Sequence, residues 1–239
     1  MLIPLAGLAE RRGVKVERVV HAGAHLAEEA SAYRDVGAEQ VLWVEGNPDL
    51  IGRISEIVAP FGHKVAQALL GAESGREVTF HVTNFDSMSS SVLEFGTHQQ
   101  QSPEVVVVGD QVHTLQTLDE VARANGFMDA DFLNLDLQGY ELECLKGAAQ
   151  LIASIQTVYT EVNVDQLYKG CVLLPELDAW LNQQGFEAAE LVLAGKSRRS
   201  EPGFVGWGDA CYVRVDSPRS FADLHADDAA DWFRAAESS

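Results

Sequence analysis

The chain has 239 residues, 46% hydrophobic and 22% charged, which suffices for the core of one large α/β domain and excludes a disordered or fibrous polymer. Its 36 acidic residues against 17 basic ones leave a formal charge of -19, which repels phosphate backbones and anionic lipid headgroups and argues against nucleic acid or a membrane surface as partner. The basic pairs Arg11-Arg12 and Arg198-Arg199 are isolated and lack interleaved aromatics. Cys144, Cys171 and Cys211 are widely separated, with no CxxC and no zinc-finger histidine spacing, and read as small buried hydrophobes of a reducing compartment. Met1 to Leu8 is too short for a secretory signal and no later apolar run approaches membrane-spanning length, so the expectation is a cytoplasmic protein.

Short β-branched runs alternate with amphipathic stretches. The runs are Arg18 to Gly23, Val41 to Val44, Val65 to Leu70, Phe132 to Leu135, Val158 to Val162 and Cys211 to Val213. Between the first two, His25 to Val36 reads as a helix with Leu26, Ala30 and Tyr33 on one face and Gly37 as its stop. Asn47-Pro48 predicts a capped helix start, with Ile51, Ile54 and Ile57 as the buried stripe. Glu77 to Val82 alternates and predicts an extra short strand. Thr117-Leu118-Asp119-Glu120 has the form of a capping box, and Gly126 closes its helix. A helix after Gly139 carries Leu142, Leu145, Ala149 and Ile152, and another with Leu177, Trp180 and Leu181 ends at Gly185. Glu187 to Leu193 and Gly208 to Val215 lack an intervening helical pattern and predict an antiparallel hairpin. The expected fold is α/β: a doubly wound, mostly parallel seven-stranded sheet, Rossmann-like, with an antiparallel C-terminal hairpin at one edge. Residues 1–215 form a single domain in this reading, and 216–239 an acidic, alanine-rich tail of helical or frayed character.

Ligands of such sheets lie beyond the carboxyl ends of the strands, at the switch point beside the first strand. There the chain reads His21-Ala22-Gly23-Ala24-His25, a turn with one glycine where a dinucleotide fingerprint has three, followed by Glu28 and Glu29. Those acids repel a pyrophosphate and tolerate a cation, which suits S-adenosylmethionine, with its sulfonium and ammonium, better than NAD. Glu45 ends the second strand, where an acidic side chain accepts hydrogen bonds from ribose hydroxyls. Helix capping alone accounts for Asn47, and a polar turn accounts for Ser89 and Ser90 as well as a place at the cofactor or acceptor does. Asn134 and Asp136 share one face of the fourth strand, and Glu161 and Asn163 one face of the fifth. Asp136, Glu161 and Asn163 are therefore expected to converge, either to seat a hard divalent cation such as magnesium or to position a hydroxyl directly. A required metal is the less favoured of the two. His98, beside Gln99 to Gln101, is expected in a lid, and Tyr168 and Trp207 in the core or an acceptor wall.

These segments resemble the FkbM family of S-adenosylmethionine-dependent methyltransferases. The matching text is Val19 to His25, Trp43 to Pro48, Ser89 to Ser91, Phe132 to Glu141 with Leu145 to Ala148, and Trp207 to Ala210, covering about residues 17 to 215. The ordered Asp-x-Gln-Gly-x-Glu-x-x-x-Leu-x-Gly-Ala pattern from Asp136 is the most specific part. Relatives commonly carry Asp where this chain has His21 and Gly where it has Ala27. The resemblance implies a class I methyltransferase fold that methylates a hydroxyl of a small molecule, a secondary metabolite or sugar-like acceptor. The expected cofactor-binding set is His21, Gly23, His25, Glu45, Asn47, Ser89, Ser90 and Asp136, and the catalytic set is Asp136 with Glu161 and Asn163. A nicotinamide-dependent oxidoreductase and a noncatalytic nucleoside-binding module are the competing readings, and the oligomeric state is not legible.

Overall fold

The computed structural model describes residues 1–196 and 205–216. The acidic tail beyond Asp216, the Arg198-Arg199 pair and most of the Lys196 to Trp207 loop lie outside the described residues.

Helix α1 (Leu5–Arg12) buries Leu5 and Leu8 and stops at Gly13; it has too few apolar positions to register as a helix in the sequence. Strand β1 (Arg18–Ala22) then enters the sheet, almost wholly buried. The stretch expected as one helix from His25 to Val36 yields only α2 (Ala30–Asp35). His25 and Ala27 sit in the left-handed region, at φ 43° and 54°, which no helix tolerates, so Glu28 and Glu29 precede the helix rather than forming its first turn. After β2 (Gln40–Glu45), Asn47 caps a short 3-10 turn through Asp49 N at 3.0 Å, and α3 (Ile51–Val58) follows. Its buried stripe is Ile54 and Val58, one turn apart, and Ile57 is exposed.

The run Val65 to Leu70 divides. β3 (Lys64–Gln67) pairs with β2, whereas Ala68 N donates to the carbonyl of Glu45 and redirects β4 (Leu69–Leu70) into a second sheet. β5 (Glu77–Thr83) is the expected extra strand, and its partner β6 (Val107–Gln116), unforeseen in the sequence, lies mostly exposed and so shows no apolar alternation. The single turn α4 (His98–Gln101) lies between them in the chain. Helix α5 (Leu118–Asn125) is capped by Thr117, which accepts from Glu120 N at 3.3 Å. Glu120 does not reach back directly: Ser74 Oγ donates to it and accepts from Thr117 N, completing the box through a third residue. β7 (Phe132–Leu135) leads to α6 (Glu141–Lys146), shorter than expected because Gly147 ends it; Ala149 is exposed and Ile152 falls in a separate 3-10 turn. β8 (Thr157–Asn163), α7 (Leu174–Gln183), β9 (Phe186–Lys196) and β10 (Val205–Arg214) complete the chain.

Among the described residues one sheet has seven strands in the order β3-β2-β1-β7-β8-β10-β9, and a second has three, β4-β6-β5. The five strands β3, β2, β1, β7 and β8 run parallel, and the β9–β10 hairpin is antiparallel at the edge, as expected. Alternate residues of the parallel strands feed two cores, as burial on both faces requires. Val20, Leu42, Leu133 and Val158 pack with α5, α6 and α7, while Val19, Val41, Trp43 and Phe132 pack with α1, α2 and α3. Among the described residues helices cover both faces, and the parallel strands are open at their ends. The chain order reverses between β1 and β7, and the crevice opens there. No described helix is long and apolar enough to cross a membrane.

Candidate active site at the carboxyl ends of the sheet

The carboxyl ends of β1 and β7 nearly touch. A Cβ at residue 23 would stand 1.8 Å from the carbonyl oxygen of Asp136, so only glycine, here at φ 86°, lets the two strand ends approach. The turn that follows is bound inward: Gly23 N and Ala24 N both donate to the Val44 carbonyl, at 2.9 and 3.0 Å. His25 N donates to Glu45 Oε2 at 2.9 Å, and Asn47 N to Glu45 Oε1 at 2.7 Å. Glu45 is thus a clip between the loops after β1 and β2 as well as a wall of the crevice. Burial raises its pKa, and the two amides partly offset that.

Two cavities adjoin beyond these strand ends. The first, of about 380 Å³, is lined by Gly23, His25, Glu45, Gly46 and Ser90, with apolar walls from Leu69 and Phe80. The second, of about 660 Å³, is lined by Ser89, His98, Tyr159, Glu161, Trp207 and Asp209. Both volumes are in the range of small-molecule sites. They share six residues: Met1, His21, Glu29, Met88, Asp136 and Gln138.

Gln138 organises the shared wall. Its Nε2 donates to Asp136 Oδ1 at 2.6 Å and to Glu161 Oε2 at 2.9 Å, and its Oε1 accepts from the Tyr168 hydroxyl at 2.6 Å. Its backbone is left-handed, at φ 53°. Glu141 holds that conformation from behind, since its Oε1 accepts from Leu137 N at 2.9 Å and Gly139 N at 3.0 Å. The Glu141 carboxyl is fully buried, its Oε2 has no partner among the described residues, and burial pushes its pKa up to about 7. Asp136 has an exposed face toward the cavity but is ringed by protein, and the loss of bulk water raises its pKa. Glu161 is held well above the usual carboxylate range by burial first and then by the charges of Asp136 and Glu141. Carboxylates this close do not both ionise readily, so Glu161 holds a proton where Asp136 gives one up.

Asn163 departs from the expected convergence. It pairs in register with Trp207, is 1% exposed, lines neither cavity, and its Nδ2 and Oδ1 have no partner among the described residues. Asn134 does line the second cavity, and its amide is tied into a buried triad with Tyr33 and His21. Asp209, opposite Glu161 in the β8–β10 register, lines the second cavity and accepts from the Tyr159 hydroxyl and from Leu2 N.

A loop spanning residues 84–91 roofs both cavities. Phe85, Asp86 and Ser87 are all left-handed, and ties to the floor hold them: His25 Nε2 donates to the Asp86 carbonyl at 3.0 Å, Arg53 pairs with Asp86 at 3.1 Å, and Asn47 Nδ2 donates to Ser87 Oγ at 2.9 Å. Ser90 Oγ accepts from Thr83 N, and the Ser89 carbonyl lies 3.2 Å from the Tyr168 hydroxyl, whose proton is given to Gln138. The His25 Nδ1 lies 2.6 Å from Glu28 Oε1, so both ring nitrogens face acceptors; the carboxylate of Glu28 accordingly raises the imidazole pKa. Among the described residues no three His, Cys, Asp or Glu side chains assemble as a metal site. Between Asp136 and Glu161 the Gln138 amide donates to both, so this pair does not present a cation seat. Gln138, Tyr168 and Glu141 as a unit were not foreseen; the polar residue between Asp136 and Gly139 at a buried strand end was the available signal.

The model of the methyltransferase FkbM domain matches residues 21–188. The 2-O-methyltransferase NoeI of Sinorhizobium fredii is 23% identical over 138 residues, 55% of this chain and 56% of that protein, so the match spans about half the length of the curated relative. Among solved structures, a protein of the NADB-Rossmann superfamily from Streptococcus agalactiae matches with a TM-score of 0.51 at 10% identity, over 91% of this chain and 69% of that one. The magnesium protoporphyrin IX methyltransferase of Synechocystis, solved with bound S-adenosylmethionine, matches with a TM-score of 0.47 at 11% identity, over 88% and 76% of the two chains. The family match extends over the β1 turn, Glu45 and the Asp136–Glu141 segment alike, and the chain belongs to the FkbM family of S-adenosylmethionine-dependent methyltransferases.

Proposed function

We propose that the protein is an O-methyltransferase that uses S-adenosylmethionine to methylate a hydroxyl of a small, sugar-sized acceptor. The observation that carries this reading is the pair of adjoining cavities with Asp136 and Gln138 on their common wall. The first suits the cofactor: Glu45 for the ribose hydroxyls, Leu69 and Phe80 for an apolar ring, and an acidic junction for the sulfonium. The second suits an acceptor of monosaccharide size, and the curated relative is named as an O-methyltransferase. An oxidoreductase reading is disfavoured because the Gly23, Ala24 and His25 amides that would meet a pyrophosphate are already bonded internally.

When bound, S-adenosylmethionine supplies an electrophilic methyl on a sulfonium. The protein's part is to align the hydroxyl oxygen with the C–S bond and exclude water. Gln138 fixes Asp136 Oδ1 and leaves Oδ2 to accept the hydroxyl proton. The proton released by the acceptor hydroxyl on methylation would pass to Asp136 Oδ2. The raised pKa of Asp136 makes it a stronger base than a solvated aspartate, although still a modest one, so transfer is late and concerted with attack. Glu161, protonated, hydrogen-bonds Asp136 and holds that carboxylate in place.

The test has two stages. Calorimetric titration with S-adenosylmethionine, S-adenosylhomocysteine and NAD is expected to give binding of the first two alone. Transfer of isotopically labelled methyl to a panel of monosaccharides, polyols and RNA is then expected to label hydroxyls of small molecules; labelling of RNA alone overturns the acceptor class, and binding of NAD alone overturns the reaction.

A further inference from the structure

The second cavity is rich in hydrogen-bond acceptors. Glu29, Glu104, Asp136 and Asp209 line it, and among the described residues no lysine or arginine does. Such a wall is complemented by the hydrogens of hydroxyl groups. A ligand rich in hydroxyls also brings oxygens that need donors, and several donors of the cavity are already committed. The Tyr159 hydroxyl donates to Asp209, the Asn84 amide to the Glu104 carbonyl, and the Asn134 amide to Tyr33. His98 is free: it lines this cavity and not the first, and neither of its ring nitrogens has a hydrogen-bond partner among the described residues.

Its ring is held flat against Phe95, 4.8 Å away and 8° from parallel, and stands 5.3 Å from the ring of Tyr168. Nδ1 is sealed from solvent. A hydrogen on that nitrogen would be a buried donor with nothing to meet, a costlier orphan than a lone pair, so the hydrogen belongs on Nε2. Burial lowers the pKa of the ring against the opposing pull of Glu104, which leaves the imidazole neutral with a single N–H to offer. Trp207 lines the same cavity and packs with Leu167, Tyr168 and Phe95, so the imidazole and the indole belong to one wall. Tyr168 connects that wall to the reacting end through Gln138 and Asp136.

Resting on the acceptor reading above, we propose that His98 determines acceptor specificity: its Nε2–H donates to an oxygen of a polyhydroxylated acceptor other than the one methylated, while Trp207 carries the acceptor's carbon face. The hydroxyl hydrogens then meet the acidic wall, and His98 supplies the donor that the wall lacks.

Two measurements test this. In a long-range proton–nitrogen correlation spectrum of the 15N-labelled protein, His98 is expected to show a protonated Nε2 and an unprotonated Nδ1; the reverse assignment overturns the proposal. Transfer of isotopically labelled methyl to the monosaccharides and polyols then selects an acceptor, whose monodeoxy derivatives are assayed with the wild type, His98→Leu and His98→Gln. For the wild type, removal of one hydroxyl remote from the methylated one is expected to raise KM about tenfold, the worth of one hydrogen bond. His98→Leu should show the raised KM for the parent and no further rise for that derivative, with its Kd for S-adenosylhomocysteine unchanged. His98→Gln, which places an N–H near the Nε2 position, should return the parent's KM to within a few-fold of the wild type. Deoxy penalties that are the same in wild type and His98→Leu overturn the role of His98. So does a fall in kcat alike for every acceptor at constant KM, the result of merely loosening the rings around Tyr168. If no monosaccharide or polyol is labelled, the acceptor reading fails and this proposal with it.

Discussion

The Tyr168 hydroxyl donates to Gln138 Oε1 at 2.6 Å, and that single bond decides which way the Gln138 amide faces. With Oε1 taken, Nε2 must point at Asp136 and Glu161. Were the amide reversed, its oxygen would confront the Asp136 carboxylate, which would then lose its donor. Tyr168 itself is anchored by a stack of rings, with Phe95 and His98 within 5.8 and 5.3 Å.

Tyr168→Phe is therefore expected to lower kcat by about ten- to a hundredfold, the consequence of misplacing a base by a fraction of an ångström. The KM for the cofactor should stay nearly unchanged, because Tyr168 lines neither cavity. Steady-state kinetics on the variant separates the two parameters, and a rise in cofactor KM with intact kcat contradicts the assignment.

Glu141 gives a pH dependence of stability with an unusual sign. Its folded pKa of about 7 lies above the ordinary 4.5, so the folded state holds this proton more tightly than the unfolded state does. The group's contribution is full below pH 4.5 and is lost as pH rises through 7, a loss of at most about 3 kcal/mol. Glu141→Gln keeps an oxygen for the Leu137 and Gly139 amides and removes the titration. Urea midpoints of wild type and variant are expected to coincide near pH 5 and to separate by pH 8, with the variant the more stable.

His25 has the opposite charge type and governs the roof. Its pKa is raised above 6.5, chiefly by the Glu28 hydrogen bond, and only its cationic form donates to both Glu28 and the Asp86 carbonyl. That tie is complete below pH 6.5 and is lost as pH rises through the folded pKa. Hydrogen-exchange protection across residues 84–91, corrected for intrinsic exchange, should fall with rising pH in the wild type. His25→Gln should flatten the profile.

The parallel half of the sheet was legible because strands buried on both faces must be continuous in apolar residues, and Val19-Val20, Val41 to Val44 and Phe132-Leu133 satisfy that. Exposed β6 obeys no such constraint, and the division at Ala68 depends on a hydrogen bond to Glu45 that no local pattern encodes. For the site, period-two alternation placed Asp136 and Glu161 toward one point but carried Asn163 along with them, since it takes no account of where β10 closes over the end of β8. Gln138, quoted within the pattern from Asp136, was given no role for the opposite reason: it lies past the strand, in a left-handed turn whose direction is set by Glu141 from behind.

Glu45 illustrates how one residue carries a structural and a ligand role together. Each carboxylate oxygen already accepts a backbone amide, from His25 and Asn47, and each retains lone-pair capacity toward the first cavity. Glu45→Ala removes both roles and is expected to loosen the loops as well as the nucleoside. Glu45→Gln retains one acceptor oxygen, so a ribose role predicts that its S-adenosylhomocysteine Kd rises about tenfold while a dideoxyribose analogue is unaffected. Equal losses for the two nucleosides would assign Glu45 to the scaffold alone.

Asp136 separates chemistry from binding. Asp136→Asn preserves the size of the side chain and an oxygen that can accept from Gln138 Nε2 at the Oδ1 position, but deletes the basic oxygen at Oδ2. Loss of a positioned base costs about 10²- to 10⁴-fold in rate, whereas S-adenosylhomocysteine should bind the variant within a few-fold of the wild type. The loss should also be visible as a change in the pH profile, because the raised Asp136 pKa shapes its acidic limb: activity of the wild type falls as Asp136 is protonated, and the residual activity of the variant should not follow that limb. A variant with unchanged kcat would remove Asp136 from proton transfer and leave alignment and water exclusion by the two cavities as the whole of the catalysis.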